Sequence, residues 1–159
     1  MQNDQRAVAI DQKWLGRTAE AVLSAARAET AELSVLLVSD RRMRALNRRY
    51  RKKDRATDVL AFPMNERRSL APAASVAAKS RLSSVPMLLG DVVISIPTAT
   101  RQAKTQGHSV SQEVAMLLIH GVLHLCGYDH ERGEREARLM RRKERAVLRS
   151  VSPLPTLVQ

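Results

Sequence analysis

The segment at residues 110–126 constrains the fold of this chain more than any other, because it has helical length and is apolar almost all round. A helix without a polar face must be covered on every side, so the rest of the 159 residues has to pack around it. Ser109 and Gln112 resemble a capping box that starts the helix. The sequence therefore predicts a central buried helix.

Three of the four histidines lie at the end of this helix and just after it, in HGVLHLCGYDH at residues 120–130. His120 and His124 are four residues apart, which places their side chains on one face of the helix. Gly127 can end the helix in a left-handed conformation and turn the chain back, so that His130 approaches the same point from a loop. Three imidazoles in this arrangement form a ligand set for one metal ion.

The spacing HxxxHxxGxxH is shared with the metzincin zinc proteases, which also combine a helix, a glycine turn and a third histidine. Three histidines leave one vertex of a tetrahedral zinc ion open for water, which can become a nucleophile at neutral pH. Those proteases carry their general base, a glutamate, directly after the first histidine, where this chain has Gly121. A zinc metalloprotease is therefore one interpretation of the site, and the glycine weakens it.

The fourth histidine and the single cysteine are expected to take no part in the site. His108 lies in a polar turn, and we expect it to be exposed. Cys126 lies two positions after His124, so it points to another face of the helix and should pack in the core. One cysteine cannot form an internal disulfide, and the polar residues 1–5 are not followed by the apolar core of a signal peptide. Both features favour a reducing cytoplasm.

The charge of the chain indicates a polyanionic partner. Lysine and arginine number 27 against 16 acidic residues, which gives a formal net charge of +11. No apolar stretch is long enough to span a bilayer, and only 3% of the residues are aromatic, so we expect contacts mainly to nucleic-acid phosphates. A solvated helix face is the alternative for the basic residues of two predicted helices, which are Arg41, Arg42, Arg44, Arg48, Arg49, Arg135, Arg138, Arg141, Arg142, Lys143, Arg145 and Arg149.

The hydrophobic periodicity predicts an α+β (α/β-like) fold in one domain over residues 1–159, with a small mixed sheet of about four strands packed against about five helices. The fold would be zincin-like in carrying its histidines on the central helix. Residues 66–86 are rich in Ala, Ser, Arg and Pro, which predicts a flexible insertion, and residues 152–159 should form a loose tail. The predicted strands are 7–10, 33–38, 57–62 and 88–96, and the predicted helices are 12–28, 40–50, 97–106, 110–126 and 134–151.

Three segments together resemble the YbeY family of bacterial metal-dependent endoribonucleases, which act in ribosomal RNA maturation. They are LNRRYRKKDRATDVLAFP, LGDVVIS and HGVLHLCGYDH, in the order expected for that family. The resemblance implies that His120, His124 and His130 bind one Zn²⁺ per chain and that they act in catalysis together with Arg51, the basic residue of the active cleft.

The same resemblance implies a substrate and partners. The expected activity is hydrolysis of phosphodiesters in single-stranded RNA, in 3′-end maturation of 16S rRNA and in ribosome quality control. Its partners would be ribosomal RNA precursors and the small ribosomal subunit, with no membrane and no DNA. An RNA-binding ribosome assembly factor with structural zinc is the other alternative, although structural zinc sites usually have four protein ligands.

Asp58 and Asp91 also match the family pattern, and roles in turns and capping are the alternative for both. Ala61 departs from the family, which usually has Ser at this position.

The sequence does not identify the residue that acts as general base. Asp129 and Glu131 flank the third histidine, and Asp129 is equally suited to orient a histidine.

Overall fold

The chain forms a mixed β-sheet with helices packed on both faces. In a computed structural model, residues 2–3, 10–64 and 87–153 are described. The sheet contains β2 (Ala31–Val38), β3 (Val59–Pro63) and β4 (Met87–Ser95), and the two-residue strand β1 (Gln2–Asn3) extends one edge. The five α-helices in the described ranges are α1 (Gln12–Ala25), α2 (Asp40–Arg51), α3 (Ile96–Gln106), α4 (Val110–Leu125) and α5 (Glu134–Val151).

The strand order is β1-β2-β4-β3. β2 is parallel to β1 and β4, and β3 is antiparallel to β4, which confirms the predicted mixed sheet. The parallel pairing of Gln2–Asn3 with β2 was not predicted. The strand predicted at residues 7–10 lies outside the described residues apart from Ile10, as do the insertion predicted at 66–86 and most of the tail predicted at 152–159.

Two hydrophobic cores lie on opposite faces of the sheet. The larger core joins α1, α3, α4 and α5 to the sheet and contains Trp14, Ile94 and Leu118, each at most 1% exposed. The smaller core lies under α2, where Met43 packs with Val93 of β4. Strand β4 contributes to both cores and is paired on both sides, by β2 and β3. None of the helices in the described part of the chain is both long and apolar enough to cross a bilayer.

The helix boundaries follow from local capping. The hydroxyl of Ser39 accepts a hydrogen bond from the backbone N–H of Arg42 at the start of α2, as predicted. Helix α1 ends at Ala25, three residues before the predicted end at 28, because the chain turns through Arg27, whose φ is 60°. Strand β3 begins two residues later than predicted, after Asp58, whose carboxylate accepts a hydrogen bond from the N–H of Val59 at 2.8 Å.

Helix α4 is the central buried helix that the sequence predicts. The Ser109 hydroxyl accepts a hydrogen bond from the N–H of Gln112 at 3.1 Å, and eleven residues of the helix are buried. At its other end Gly127 has a φ of 98° and its N–H donates to the carbonyl of His124 at 3.0 Å. The left-handed turn expected at Gly127 is therefore present.

Helix α4 approaches β4 closely at Gly121. A Cβ atom added to this glycine would lie 2.7 Å from Cγ1 and 2.9 Å from Cγ2 of Val92, well inside normal contact distance. Val92 is fully buried in the central strand and has little freedom to move. The missing side chain of Gly121 thus sets the distance between the helix and the sheet.

We expect Gly121→Ala to destabilise the protein by about 1–3 kcal/mol, the usual cost of overpacking a core. The added methyl group must displace Val92, which outweighs the gain of about 1 kcal/mol in helix propensity of alanine over glycine. In a Val92→Ala background the same substitution should be neutral or stabilising, because the facing methyl groups are gone. Urea denaturation of the four proteins of this cycle measures the coupling, and equal destabilisation in both backgrounds would contradict it.

Candidate metal centre

The structure brings the three predicted ligands together. One ring nitrogen from each of His120, His124 and His130 can be chosen so that all three lie within 4.8 Å of one another. The Nε2 atoms of His120 and His124 are 3.1 Å apart, close to the separation of about 3.3 Å between two nitrogen ligands of a tetrahedral zinc ion. The donor set and its spacing therefore fit one divalent ion.

The third histidine is held by a capped turn. His130 begins a short 3₁₀ helix, His130–Arg132, directly after Asp129. One carboxylate oxygen of Asp129 accepts from the N–H of Glu131 at 2.9 Å, and the other accepts from Nε of Arg132 at 3.2 Å. Asp129 therefore stabilises the turn that carries His130.

Burial sets the protonation state of His124, the middle histidine of the three. The pKa of His124 is lowered to about 4, mainly by burial and also by repulsion from the imidazolium charges of the neighbouring His120 and His130. Asp129 and a hydrogen bond with the backbone of Tyr128 act in the opposite direction. His124 is consequently neutral at physiological pH, which is the form that binds metal ions.

A contact that the sequence did not predict joins the cluster to α5. Nδ1 of His120 lies 2.6 Å from Oε1 of Glu144. The only sequence signal for Glu144 is its position between Lys143 and Arg145, as a lone acid in a basic stretch. Periodicity along α5 shows which residues share a face, but it does not show which side chain of α4 that face meets.

The histidines line a cleft of about 720 Å³ together with Arg51, Asp58, Ala61 and Glu131. Arg51 is the last residue of α2, and its side chain is exposed. The cleft thus contains all four residues predicted for the catalytic site. It is formed where the end of α2 and strand β3 face the end of α4.

The two aspartates that match the family pattern lie in different places. Asp58 lines the cleft, but its carboxylate already accepts hydrogen bonds from the N–H of Val59 and from Nε2 of Gln102, at 2.8 and 3.2 Å. Asp91 lines a separate cavity of about 640 Å³ next to Tyr50 and α2. Asp58 therefore has the capping role considered for it, and Asp91 lies outside the cleft.

Comparison with known proteins agrees with this geometry. The family model described as Endoribonuclease YbeY matches residues 1–152. Proteins named Endoribonuclease YbeY are 49% identical over 132 residues in Anaeromyxobacter dehalogenans, 44% over 141 in Aquifex aeolicus and 46% over 150 in Pelotomaculum thermopropionicum. The chain belongs to the YbeY endoribonuclease family. The predicted family is thereby confirmed.

The alignments cover 83%, 89% and 92% of this chain. They span 60% of the Anaeromyxobacter protein, which is less than two thirds of its length, but 81% and 91% of the other two. A Thermotoga maritima protein solved in solution has a TM-score of 0.62 at 24% identity, over 94% of this chain and 87% of that one. This likeness shows a shared fold.

The packing at Gly121 bears on the protease interpretation. The metzincin glutamate would have to occupy this position, and even its Cβ would meet the methyl groups of Val92. Helix α4 cannot accept that side chain without moving away from β4. The chain therefore has no room for a glutamate at the position where the metzincin proteases carry their general base.

His108 is less exposed than predicted, because it pairs with a buried acid. Its Nε2 lies 3.1 Å from Oε2 of Glu113, and the two side chains are only 15% and 5% exposed. The contact is electrostatic, because Oε2 of Glu113 has no hydrogen-bond partner among the described residues. Cys126 is buried as predicted, and burial raises the pKa of its thiol to about 11.

Glu113 gives the stability of the protein a pH dependence. Burial raises the pKa of its carboxyl, Asp58 adds to the increase, and His108 opposes it. The folded protein therefore holds this proton more tightly than the unfolded chain, so the stabilisation is present below the ordinary pKa of 4.5 and is lost as the pH rises through the raised value. Relative to Glu113→Gln, the free energy of unfolding of the wild type should fall as the pH is raised from 4.5 to neutral.

Urea denaturation of the two proteins over this range measures the difference. Glu20→Gln, which removes an exposed carboxylate on α1, is the control and should follow the wild-type profile. A difference between wild type and Glu113→Gln that stays constant or grows with pH would contradict the raised pKa.

Proposed function

We propose that this YbeY-family protein is a zinc-dependent endoribonuclease that hydrolyses phosphodiesters in single-stranded RNA. The observation that carries the proposal is the cleft of about 720 Å³ that the three histidines share with Arg51. A cation-binding cluster beside a guanidinium is suited to a phosphate group, which carries negative charge throughout the reaction. The net charge of +11 and the names of the YbeY relatives support an RNA substrate.

His120, His124 and His130 would hold the ion through one ring nitrogen each. A bound zinc ion would polarise a phosphoryl oxygen and lower the pKa of water. The guanidinium of Arg51 can donate two parallel hydrogen bonds to the phosphate, and it would offset the charge that develops in the transition state. This guanidinium is exposed and has no partner among the described residues, so it is available to a substrate.

Glu131 is the cleft carboxylate that we assign as general base. Asp58 and Asp129 also line the cleft, but both already accept hydrogen bonds that hold the local backbone. Among the described residues, the hydrogen bond of Glu131 is made by its backbone N–H, and its side chain has no partner. It can therefore accept a proton from water without disrupting the turn that carries His130.

The exposed arginines of α2 and α5 would bind the RNA backbone. Arg41 and Arg48 are exposed on α2, and Arg142 and Arg149 are exposed on α5. Contacts of this kind act on phosphates and carry no sequence information. We therefore also propose that ribosomal RNA precursors are the substrate, in 3′-end maturation of 16S rRNA in the cytoplasm, and that the small ribosomal subunit supplies the specificity.

We expect His124→Ala to purify without zinc and to lose RNA cleavage, because two histidines cannot hold the ion tightly. The matched control is His108→Ala, which removes a histidine outside the cluster and should keep one zinc ion and the activity. Metal analysis and cleavage of a ribosomal RNA precursor measure both effects. Equal cleavage by wild type and His124→Ala would exclude catalysis by this centre.

Arg51→Ala should bind zinc like the wild type but cleave RNA about 10²–10³-fold more slowly, the usual loss when one donor to a developing anion is removed. Arg17→Ala removes an exposed arginine of α1 that lies outside the cleft and outside the helices proposed to bind RNA, so it should leave cleavage unchanged. Loss of zinc from Arg51→Ala would indicate a structural role instead. Salt-dependent RNA binding without turnover by the wild type would favour an assembly factor with structural zinc.

A further inference from the structure

We propose that Glu144 is a positioning residue of the metal centre, which holds His120 in the tautomer and orientation that present Nε2 to the ion. The inference rests on the metal site of the proposed function. It concerns a residue of α5 that lies behind the ligands and does not line the cleft.

The contact determines which nitrogen of His120 is protonated. An ionised carboxylate can only accept hydrogen bonds, so at 2.6 Å from Oε1 of Glu144 the Nδ1 atom must carry the hydrogen. In a neutral imidazole this leaves the lone pair on Nε2. Nε2 is the atom that lies 3.1 Å from Nε2 of His124. The hydrogen bond to Glu144 therefore directs the free lone pair of His120 into the histidine cluster.

Glu144 is itself held in place by packing. Met140 and Val147 lie four residues before and three residues after it, on the same side of α5, and they are 1% and 2% exposed. Both belong to the core that α4 shares with α5. The carboxylate therefore extends from a fixed backbone, and its partial burial, at 28% exposed, limits competition from water.

Glu144 also differs from Glu134, another acid on α5, in the residue that it contacts. Glu134 pairs with Arg138 one turn further along the same helix, at 3.3 Å, and its side chain is 92% exposed. Glu144 lies between Lys143 and Arg145, yet its short contact is with His120 on another helix. A carboxylate behind a neutral ligand also makes that ligand more basic and offsets part of the charge of a divalent ion.

The test compares zinc affinity in the full-length protein. After removal of metal, Zn²⁺ binding is measured by competition with a chromophoric chelator for wild type, Glu144→Ala, Glu144→Gln and the control Glu136→Ala, which removes another acid from α5. Glu144→Ala should weaken zinc binding about 10–100-fold. Glu144→Gln should weaken it less, because it keeps an acceptor for Nδ1–H, and Glu136→Ala should match the wild type.

A second readout needs no metal. Ring ¹⁵N chemical shifts of His120 in the metal-free protein should show the Nδ1–H tautomer in the wild type and a mixture with Nε2–H in Glu144→Ala. A structural role alone would lower the melting temperature of the metal-free protein and leave the tautomer unchanged, which would overturn the inference.

Unchanged zinc affinity in Glu144→Ala would overturn it as well. Neither measurement depends on RNA cleavage. A normal tautomer and normal zinc affinity in Glu144→Ala would therefore reject the role of Glu144 and leave the proposed endoribonuclease standing. Absence of cleavage by a wild type that binds zinc would reject only the proposed activity.

Discussion

The contact between Gly121 and Val92 is the constraint on which the candidate metal centre depends. Strand β4 is paired on both sides, by β2 and β3, so it cannot move away from a helix that presses on it. Helix α4 can lie this close only because residue 121 has no side chain. His120 directly precedes this contact and His124 follows it by three residues, so the packing of the core fixes both ligands.

The open side of the centre results from a different set of contacts. The left-handed Gly127 and the capping carboxylate of Asp129 turn the chain so that His130 lies beside His120 and His124. His130 is exposed, whereas the other two histidines are partly buried. Opposite His130, the antiparallel pairing of β3 with β4 forms the other wall, and α2 ends there at Arg51. The cleft therefore lies at the boundary between the two cores. The histidines lie on one wall, and the long, flexible side chain of Arg51 lies on the other.

Local signals in the sequence were sufficient for most of this arrangement. Capping residues and hydrophobic periodicity predicted the five helices and three of the strands, because both act over a few residues. The histidine cluster was predictable for the same reason, since its three members span only eleven residues and one turn. Arg51 lies far away in sequence, and it was predicted from the resemblance of its segment to a known family.

The contacts that sequence reasoning missed depend on tertiary geometry. His120 and Glu144 are 24 residues apart, and their contact requires the angle and depth at which α5 crosses α4. Neither quantity is encoded in the periodicity of one helix, which defines a face but not its partner. The same limit applies to Asp91, because only the observed strand pairing shows that it lies away from the cleft.

The distribution of charge is compatible with a divalent cation at the histidine cluster of this strongly basic protein. The arginines that would bind RNA are exposed on α2 and α5, and at physiological salt each is screened over about 8 Å. Acidic groups lie closer to the ligands. Glu144 contacts His120 directly, and Asp129 lies near enough to raise the pKa of His124. The histidines thus have negative charge immediately beside them. The positive surface can act at longer range on a polyanion, where many weak electrostatic contributions add.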